Sequence, residues 1–391
     1  MSSARLNFDP PAKVVSMSRI LTALGALTVL LGFFLAPQRI WPDLLLASYA
    51  LLGLGLAGVF FVALQYVSGA SWSVALRRIP EAMTAALPAG AVGLAVVLLG
   101  RPSLYPWMGG AAEAVKGFPG FRQAWLSPSF FLLRSAGYLL VWLFFAWAIV
   151  RNSRSQDSSG DIALTRRNTR LSAAFMVIFG ITFWLASYDW VMTLEPRWYS
   201  TIFGIYHFAS LFLGGLAAIS LLAVWLHKNG ALRHTLTSEH RLDLGRLLFA
   251  FSTFWMYIWF SQYMLIWYAN LPEETSYFIR RIGPGWGRLF VLNVLLNWAV
   301  PFLVLLPRAN KQNPRVLGGV SIVVLLGRAL DLYLMILPPF TGAKPVFGVW
   351  EAGVLLGTVG LFVLVFLRAL RQAPLVPIAD PRLQESLHYH A

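Results

Sequence analysis

Apolar runs too long for the interior of an ordinary water-soluble domain dominate this chain. A helix needs about 20 apolar residues to cross the ~30 Å hydrocarbon core of a bilayer. Ten runs reach that length, at 17–36, 43–66, 80–100, 128–150, 170–192, 199–226, 246–270, 285–306, 316–338 and 346–369. Their length predicts helices, since barrel strands would read as alternating stretches of about ten residues. The third run is the weakest, diluted by Pro88 and several Gly and Ala residues. Charged residues make up 12% of the 391, about half the usual share of a soluble protein. That is too little charge to coat several water-facing domains. The expectation is one all-α integral membrane domain over residues 1–391, with a 16-residue polar leader and a polar tail from about 372.

The first run follows Arg5 and Lys13, as a signal peptide would, but it is long and lacks a small-x-small cleavage site. A retained helix is expected.

Lysine and arginine set the orientation, because cytoplasmic segments accumulate them. With the N-terminus inside, 20 of the 31 basic residues fall on inner segments or adjoining span ends, against 9 on outer ones. The other two, Arg134 and Arg328, fall within spans. Both termini are therefore expected on the cytoplasmic side. The net charge of +15 reads as topology, not as a nucleic-acid face, because basic residues stand singly or in pairs between apolar runs. The outer loop 101–127, with Trp107 and Trp125, suits an interfacial cap. The inner loop 151–169 has a flexible-linker composition, and the tail after Arg371 is expected to order only against a partner.

The sequence has no cysteine, which removes thiolate zinc sites, thiolate-held iron–sulfur clusters and covalently attached c-type haem. A transmembrane b-type haem usually takes two axial histidines on facing helices. His207 alone lies within a span; His227, His234 and His240 belong to one inner region, and His388 and His390 to the tail. No Gly-rich phosphate loop, H-E-x-x-H or nucleophile elbow occurs. No catalytic residue, metal ligand set, or cofactor bound covalently or by metal ligation is expected in this chain.

An ionisable group within a span costs several kcal/mol unless it faces protein or water, so each is a functional candidate. Asp189, His207, Glu351 and the i, i+3 pair Arg328–Asp331 all fall toward the outer halves of their spans, with Tyr188, Gln262 and Tyr263 nearby in sequence. They are candidates for a proton relay or a quinone pocket. Glu81, Asn293 and Asn297 could extend a path inward. Bland readings stand beside these: Arg328–Asp331 as a neutralised structural pair, Glu351 and Arg134 snorkelling to headgroups, His207 as a helix contact, and the aromatics of 255–268 as core and interface belt.

Two stretches are distinctive, ASYDWVMTLEPRWYSTIFGIYHFA (186–209) and FWMYIWFSQYMLIWYANLPEE (254–274). With the ten-run layout they resemble the NrfD-like membrane subunits of bacterial alternative complex III, a quinol:cytochrome c (or other acceptor) oxidoreductase, and among these the smaller, ActF-type subunit. The resemblance implies two four-helix bundles, spans 2–5 and 6–9, flanked by spans 1 and 10. It implies a bacterial inner-membrane location and respiratory electron transport. It also implies partners: multihaem and monohaem c-type cytochrome subunits, an iron–sulfur subunit and a larger NrfD-like subunit. Haem c and iron–sulfur clusters would sit in those partners, with quinone or quinol as a possible ligand. In the larger subunit of such complexes the first bundle holds quinol through a His and acidic residues. Here spans 2–4 contain no His, and their only acids are Asp43 and Glu81. That leaves proton transfer, a quinone pocket or a structural role. Two rivals remain: a secondary transporter, which would require inverted repeats and broken helices near the midplane, and a purely structural membrane anchor.

Overall fold

The structure, a computed structural model, describes residues 8–100, 104–108, 120–233 and 235–390. Arg5, Arg101, Lys116 and His234 lie outside them. Among the described residues the chain is helical with no strand. Among the described residues nine helices are long and apolar enough to cross a membrane, as in a multi-span membrane protein. The membrane helices are α1 (Ala12–Leu35), α2 (Pro37–Ser68), α3 (Val74–Gly100), α4 (Pro128–Ser159), α5 (Ile162–Trp190), α6 (Phe203–Lys228), α7 (Ser238–Ala269), α8 (Gly287–Leu305), α9 (Pro314–Ile336) and α10 (Val349–Leu370). Nine of these are the apolar set. The remaining one, α7, has 32 residues and ample length, but its Trp, Tyr, Ser and Gln residues leave it short of the others in hydropathy. "Outer" and "inner" denote the helix ends by the sides that the charge pattern assigns them.

Packing follows the chain order. The first group is α2 against α3 and α5, with α4 against α5 and α3; the second is α6 against α7 and α9, with α8 between α7 and α9. Contacts of α2 and α5 with α6 join the two groups. Small residues set the closest approach: a Cβ on Gly215 of α6 would lie 2.2 Å from the Ala57 Cβ of α2. Outside both groups, α1 packs on α10, where a Cβ on Gly25 would lie 2.3 Å from the Gly357 Cα. Between membrane helices there is little hydrophobic drive, so backbones brought together by small residues supply the van der Waals contact.

Two expectations about the inner side are overturned. The 151–169 segment is not a flexible linker. Helix α4 runs on to Ser159, turns at Gly160 in the left-handed region (φ 65°), and α5 begins at once under an Asp161 cap that accepts from the Ala163 N–H at 2.8 Å. Its polar residues are used between the two helices, as in Asn152 Nδ2 to Asn168 Oδ1 at 3.0 Å. Nor does the tail wait for a partner. Residues 372–390 fold back on the chain's own inner face, where Asp380 pairs with the buried Arg77 and Ser386 Oγ bridges the Ala75 N–H (3.0 Å) and Trp72 carbonyl (2.8 Å).

Candidate functional site

Helix α9 carries Arg328 and Asp331 one turn apart, so both face the second helix group. Asp331 is 1% exposed and accepts from four side chains: the Tyr206 hydroxyl, the Ser210 hydroxyl at 2.9 Å, Asn293 Nδ2 at 2.8 Å and Arg328 Nη1 at 3.0 Å. Arg328 Nε donates to Asn297 Oδ1 at 2.7 Å, and Asn297 Nδ2 donates back to Asn293 Oδ1 at 2.7 Å. The Arg328 guanidinium lies 4.7 Å from the Trp255 ring centroid, and Trp255 Nε1 donates to Ser210 at 3.1 Å. One buried charge pair thus organises side chains from α6, α7, α8 and α9.

Helix α8 is shaped for this. Pro301 lacks an N–H and crowds the carbonyl four residues back, which is that of Asn297. The helix widens into a π-turn over Leu295–Ala299, centred on Asn297. Single π-turns of this kind concentrate at functional sites. Opposite, α9 supplies Gly327, where a Cβ would lie 2.5 Å from Asn297 Oδ1. The bulge and the missing side chain together let Asn297 reach Arg328.

Outward of Asp331 lies a cavity of about 20 Å³, lined by Tyr206, Gln262, Arg281 and Asn293 among others. One water needs roughly 10–15 Å³ and two to four polar partners, so this space is large enough for one. Gln262 Nε2 continues outward to Ser200 Oγ at 3.2 Å. Arg281, 2% exposed, places Nη1 2.9 Å from Glu195 Oε1 and donates to the carbonyls of Tyr277 and Leu334.

On the other side of the pair a much larger groove, about 690 Å³, runs between α2, α6, α9 and α10. Its outer end carries Asp43, Tyr49, His207, Arg328, Asp331 and Glu351; its length is apolar, from Leu222 of α6 to Val363 of α10. Leu326 and Val359 line it and are exposed on the lipid-facing surface, so it opens sideways. His207 is 1% exposed and stacked on Tyr49 (centroids 4.9 Å, planes 11° apart), with Phe183 and Phe203 edges nearby. Among the described residues neither His207 ring nitrogen nor Asp43 Oδ2 has a hydrogen-bond partner. Glu351 is held differently: it takes two hydrogen bonds from Arg39, at 2.9 and 2.6 Å, and one from the Gly348 N–H at 2.7 Å.

Of the candidates named from sequence, His207, Arg328, Asp331 and Glu351 meet at the groove. Gln262, Asn293 and Asn297 join through the cavity and the network. The rest stand apart. Asp189 is fully buried and tied to Arg134 Nε and Nη2, both at 3.0 Å, with Trp125 Nε1 at 2.9 Å and Tyr138 at 3.1 Å. Arg134 therefore does not snorkel; its guanidinium stacks 3.9 Å from the Trp125 ring and turns inward to Asp189. Glu351 does not snorkel either, being 7% exposed against Arg39. Tyr188 donates to the Thr201 carbonyl at 2.6 Å and pins the α5–α6 turn. Tyr263 stacks with Trp259 (6.0 Å) within an aromatic layer. Glu81 belongs to an inner cluster with Arg78, Asp157 and Ser153, in the first helix group, away from Asn293 and Asn297 in the second.

Sequence reading missed Tyr206, Ser210, Trp255, Asp43, Tyr49 and Arg281. Tyr206 and Ser210 stand at i, i+4 on the helix of His207, a spacing that could have paired them. Asp43 and Arg281 stand at span ends, where a charge is an ordinary boundary feature.

Among the described residues no group of three or more His, Asp or Glu side chains could hold a metal ion. No protein-family model matches the chain, and no curated protein matches it.

Proposed function

We propose that this chain is a non-haem membrane subunit of a quinol-oxidising respiratory complex of the alternative complex III type, and that its second helix group passes protons to the outer side. The chemistry is balanced across subunits. Quinol gives up two electrons, which leave to haem c or an iron–sulfur cluster in partner subunits, and two protons, which need acceptors with a route to outer water. Cysteine-free and with one intramembrane histidine, this chain supplies the second part only. The observation that carries the reading is the continuity from Asp331 through Tyr206 to a water-sized cavity lined by Gln262, whose amide is anchored outward on Ser200. A hydroxyl between a carboxylate and a water can accept a proton on one side and release one on the other. Asn293, Asn297 and Arg328 hold the carboxylate in place; amide groups do not themselves carry protons.

A second reading is favoured at one place. Asp189, saturated by Arg134, Trp125 and Tyr138, works as a structural tie between α4 and α5. In this proposal the N- and C-termini face the cytoplasm across a bacterial inner membrane.

Purification from native membranes in mild detergent tests the assignment. Co-purifying chains and a haem c spectrum are expected; a chain that purifies alone, with no cytochrome, refutes it. In the assembled complex Tyr206→Phe keeps the ring and removes the hydroxyl, and the rate of proton release to the outer side should fall at least tenfold. Unchanged proton release would remove the relay.

A further inference from the structure

Between the outer ends of α7 and α8 lies a separate short helix, Pro272–Ile282, that touches both. Asn270, in the left-handed region (φ 50°), turns the chain as α7 ends, and Pro272 opens the new helix at its first position. At the far end Arg281 donates from Nε to the Leu334 carbonyl (2.8 Å) and from Nη2 to that of Met335 (3.2 Å), at the outer end of α9. Midway, Tyr277 stacks on Trp198 of the α5–α6 turn (centroids 4.0 Å, planes 16° apart), and Trp198 Nε1 donates to the Glu274 carbonyl at 3.0 Å. The helix therefore lies across the outer ends of the second group instead of continuing a span. Its Tyr277, Phe278 and Arg281 wall the water-sized cavity.

We infer that this helix is seated in the outer headgroup region of the bilayer, with Leu271, Ile279 and Ile282 at the level of the lipid chains, and that this seating holds the cavity wall in place. The seating rests on the structure; only the use of the cavity for proton transfer rests on the proposed function.

The side chains divide into three strips at about 100° per residue. Tyr277, Phe278 and Arg281 are buried against the protein. Glu273, Ser276 and Arg280 are exposed and polar, and fall within about 60° of one another. Thr275, Ile279 and Ile282 fall within about 60° on a third strip, with Leu271 in line ahead of them. That strip carries no charge, yet Ile279 is 68% exposed, Leu271 47% and Ile282 44%. The strips stand roughly 120° apart. A helix lying in a membrane interface beside its own protein meets protein, water and lipid on three sides, and these three strips match them.

Continuity selects lipid as the occupant of the apolar strip. Just before the helix, Leu265, Trp267 and Tyr268 of α7 are exposed; just after it, so are Val291 and Leu292 of α8. The strip thus prolongs the exposed apolar sides of two membrane helices. Trp and Tyr at a helix end mark the level of the headgroups, which places the short helix at that level. Because the same helix carries Arg281 and Tyr277, lifting it from the lipid would strain the bonds to α9 and open the cavity toward water.

The absence of cysteine lets a single introduced cysteine take a nitroxide label at one place only. Ile279→Cys marks the apolar strip and Ser276→Cys the polar one, both at exposed positions. The full chain would be reconstituted in phosphatidylethanolamine–phosphatidylglycerol vesicles. Collisions with molecular oxygen report lipid, and collisions with a water-soluble nickel chelate report water. The label at 279 should favour oxygen at a depth of about 5–10 Å into the headgroup–chain boundary, and the label at 276 should favour nickel. Equal nickel access at both positions would put the strip in water and overturn the seating. A label at 279 shielded from both reagents in the natively assembled protein would put another protein on the strip, and overturn it as well. Hydrogen exchange over residues 272–282 tests the second half without a label. Ile279→Asp should speed it at least tenfold and Ser276→Asp hardly at all. Wild-type rates in Ile279→Asp, or equal acceleration in both variants, would show that the seating does not hold the wall. These readouts need neither cytochrome nor turnover, so the seating can fail while the respiratory assignment stands, and the reverse.

Discussion

Asp331→Asn is the most informative single change, because it removes a charge and leaves the shape. In the native protein Arg328, its side chain 8% exposed, is neutralised by Asp331 at 3.0 Å. Asparagine keeps one acceptor oxygen but turns the other atom into an amide donor, facing hydroxyl and amide donors from Tyr206, Ser210 and Asn293. The guanidinium is then buried without a counter-charge. Breaking a buried pair from one side costs about 3–5 kcal/mol. Neutral hydrogen bonds between membrane helices contribute only about 0.6 kcal/mol on average, so a loss of that larger size must come from the stranded charge. Adding Arg328→Met removes it, and the double variant should recover about 2 kcal/mol or more of the single variant's loss. The assay is unfolding in mixed micelles with increasing ionic detergent, followed by tryptophan emission; Trp255 packs directly on Arg328. A loss under about 1 kcal/mol for Asp331→Asn, or strictly additive effects in the double variant, would show that the pair is not buried and coupled as described.

Gly327→Ala places a methyl 2.5 Å from Asn297 Oδ1; pushing Asn297 off Arg328 should lower stability in the same assay by about 1–3 kcal/mol, and an unchanged midpoint would refute the close approach. The tail should be pH-sensitive. His240, in the polar first turn of α7 before the apolar run 246–270, is fully buried beside Ser386 (Nε2 to Oγ 3.5 Å), and burial pushes its pKa below the ordinary histidine value. Tail docking is then complete above about pH 6.5, and weakens as pH falls below it, because the undocked imidazole takes up the proton first. Limited proteolysis of residues 372–390 should quicken from pH 7.5 to pH 5, and much less so in His240→Gln; equal cleavage at both pH values would refute the linkage.

Much of the architecture was legible because the bilayer leaves few options. Apolar length alone located the membrane helices, and all ten expected runs are helical over most of their length. Seven of the eleven candidate residues converge, since a buried polar group must find a partner and few were on offer. What stayed hidden depends on which helix faces which. Asp189 looked as ready for proton work as Asp331 until Arg134 proved to lie against it. Glu81 and Asn297 looked like steps on one path until the chain placed them in different helix groups. Tyr206 and Asp43 do not stand out in sequence, because a tyrosine in an aromatic run and an acid at a span end are ordinary features. The 151–169 segment shows the opposite failure: composition suited a linker, yet its polar residues find one another across two helices.

The two buried carboxylates are held by different kinds of donor. Asp189 and Asp331 each accept four hydrogen bonds from side chains, and each is paired with an arginine. Their partners differ in chemistry. Around Asp189 the donors are a bidentate guanidinium, an indole and a phenol, packed beneath a tryptophan. Around Asp331 two of the four donors are hydroxyls, able to give one proton and accept another, and the carboxylate borders the large groove while its Tyr206 and Asn293 partners border the water-sized cavity. A bidentate arginine fixes charge and position together, which suits a tie between helices. In the proposed relay the hydroxyl donors, next to open space, are the groups that would exchange a proton with the carboxylate. The π-turn at Asn297 and the bare backbone at Gly327 make that arrangement possible, by giving Arg328 a neutral second partner and freeing Asp331 from serving it alone.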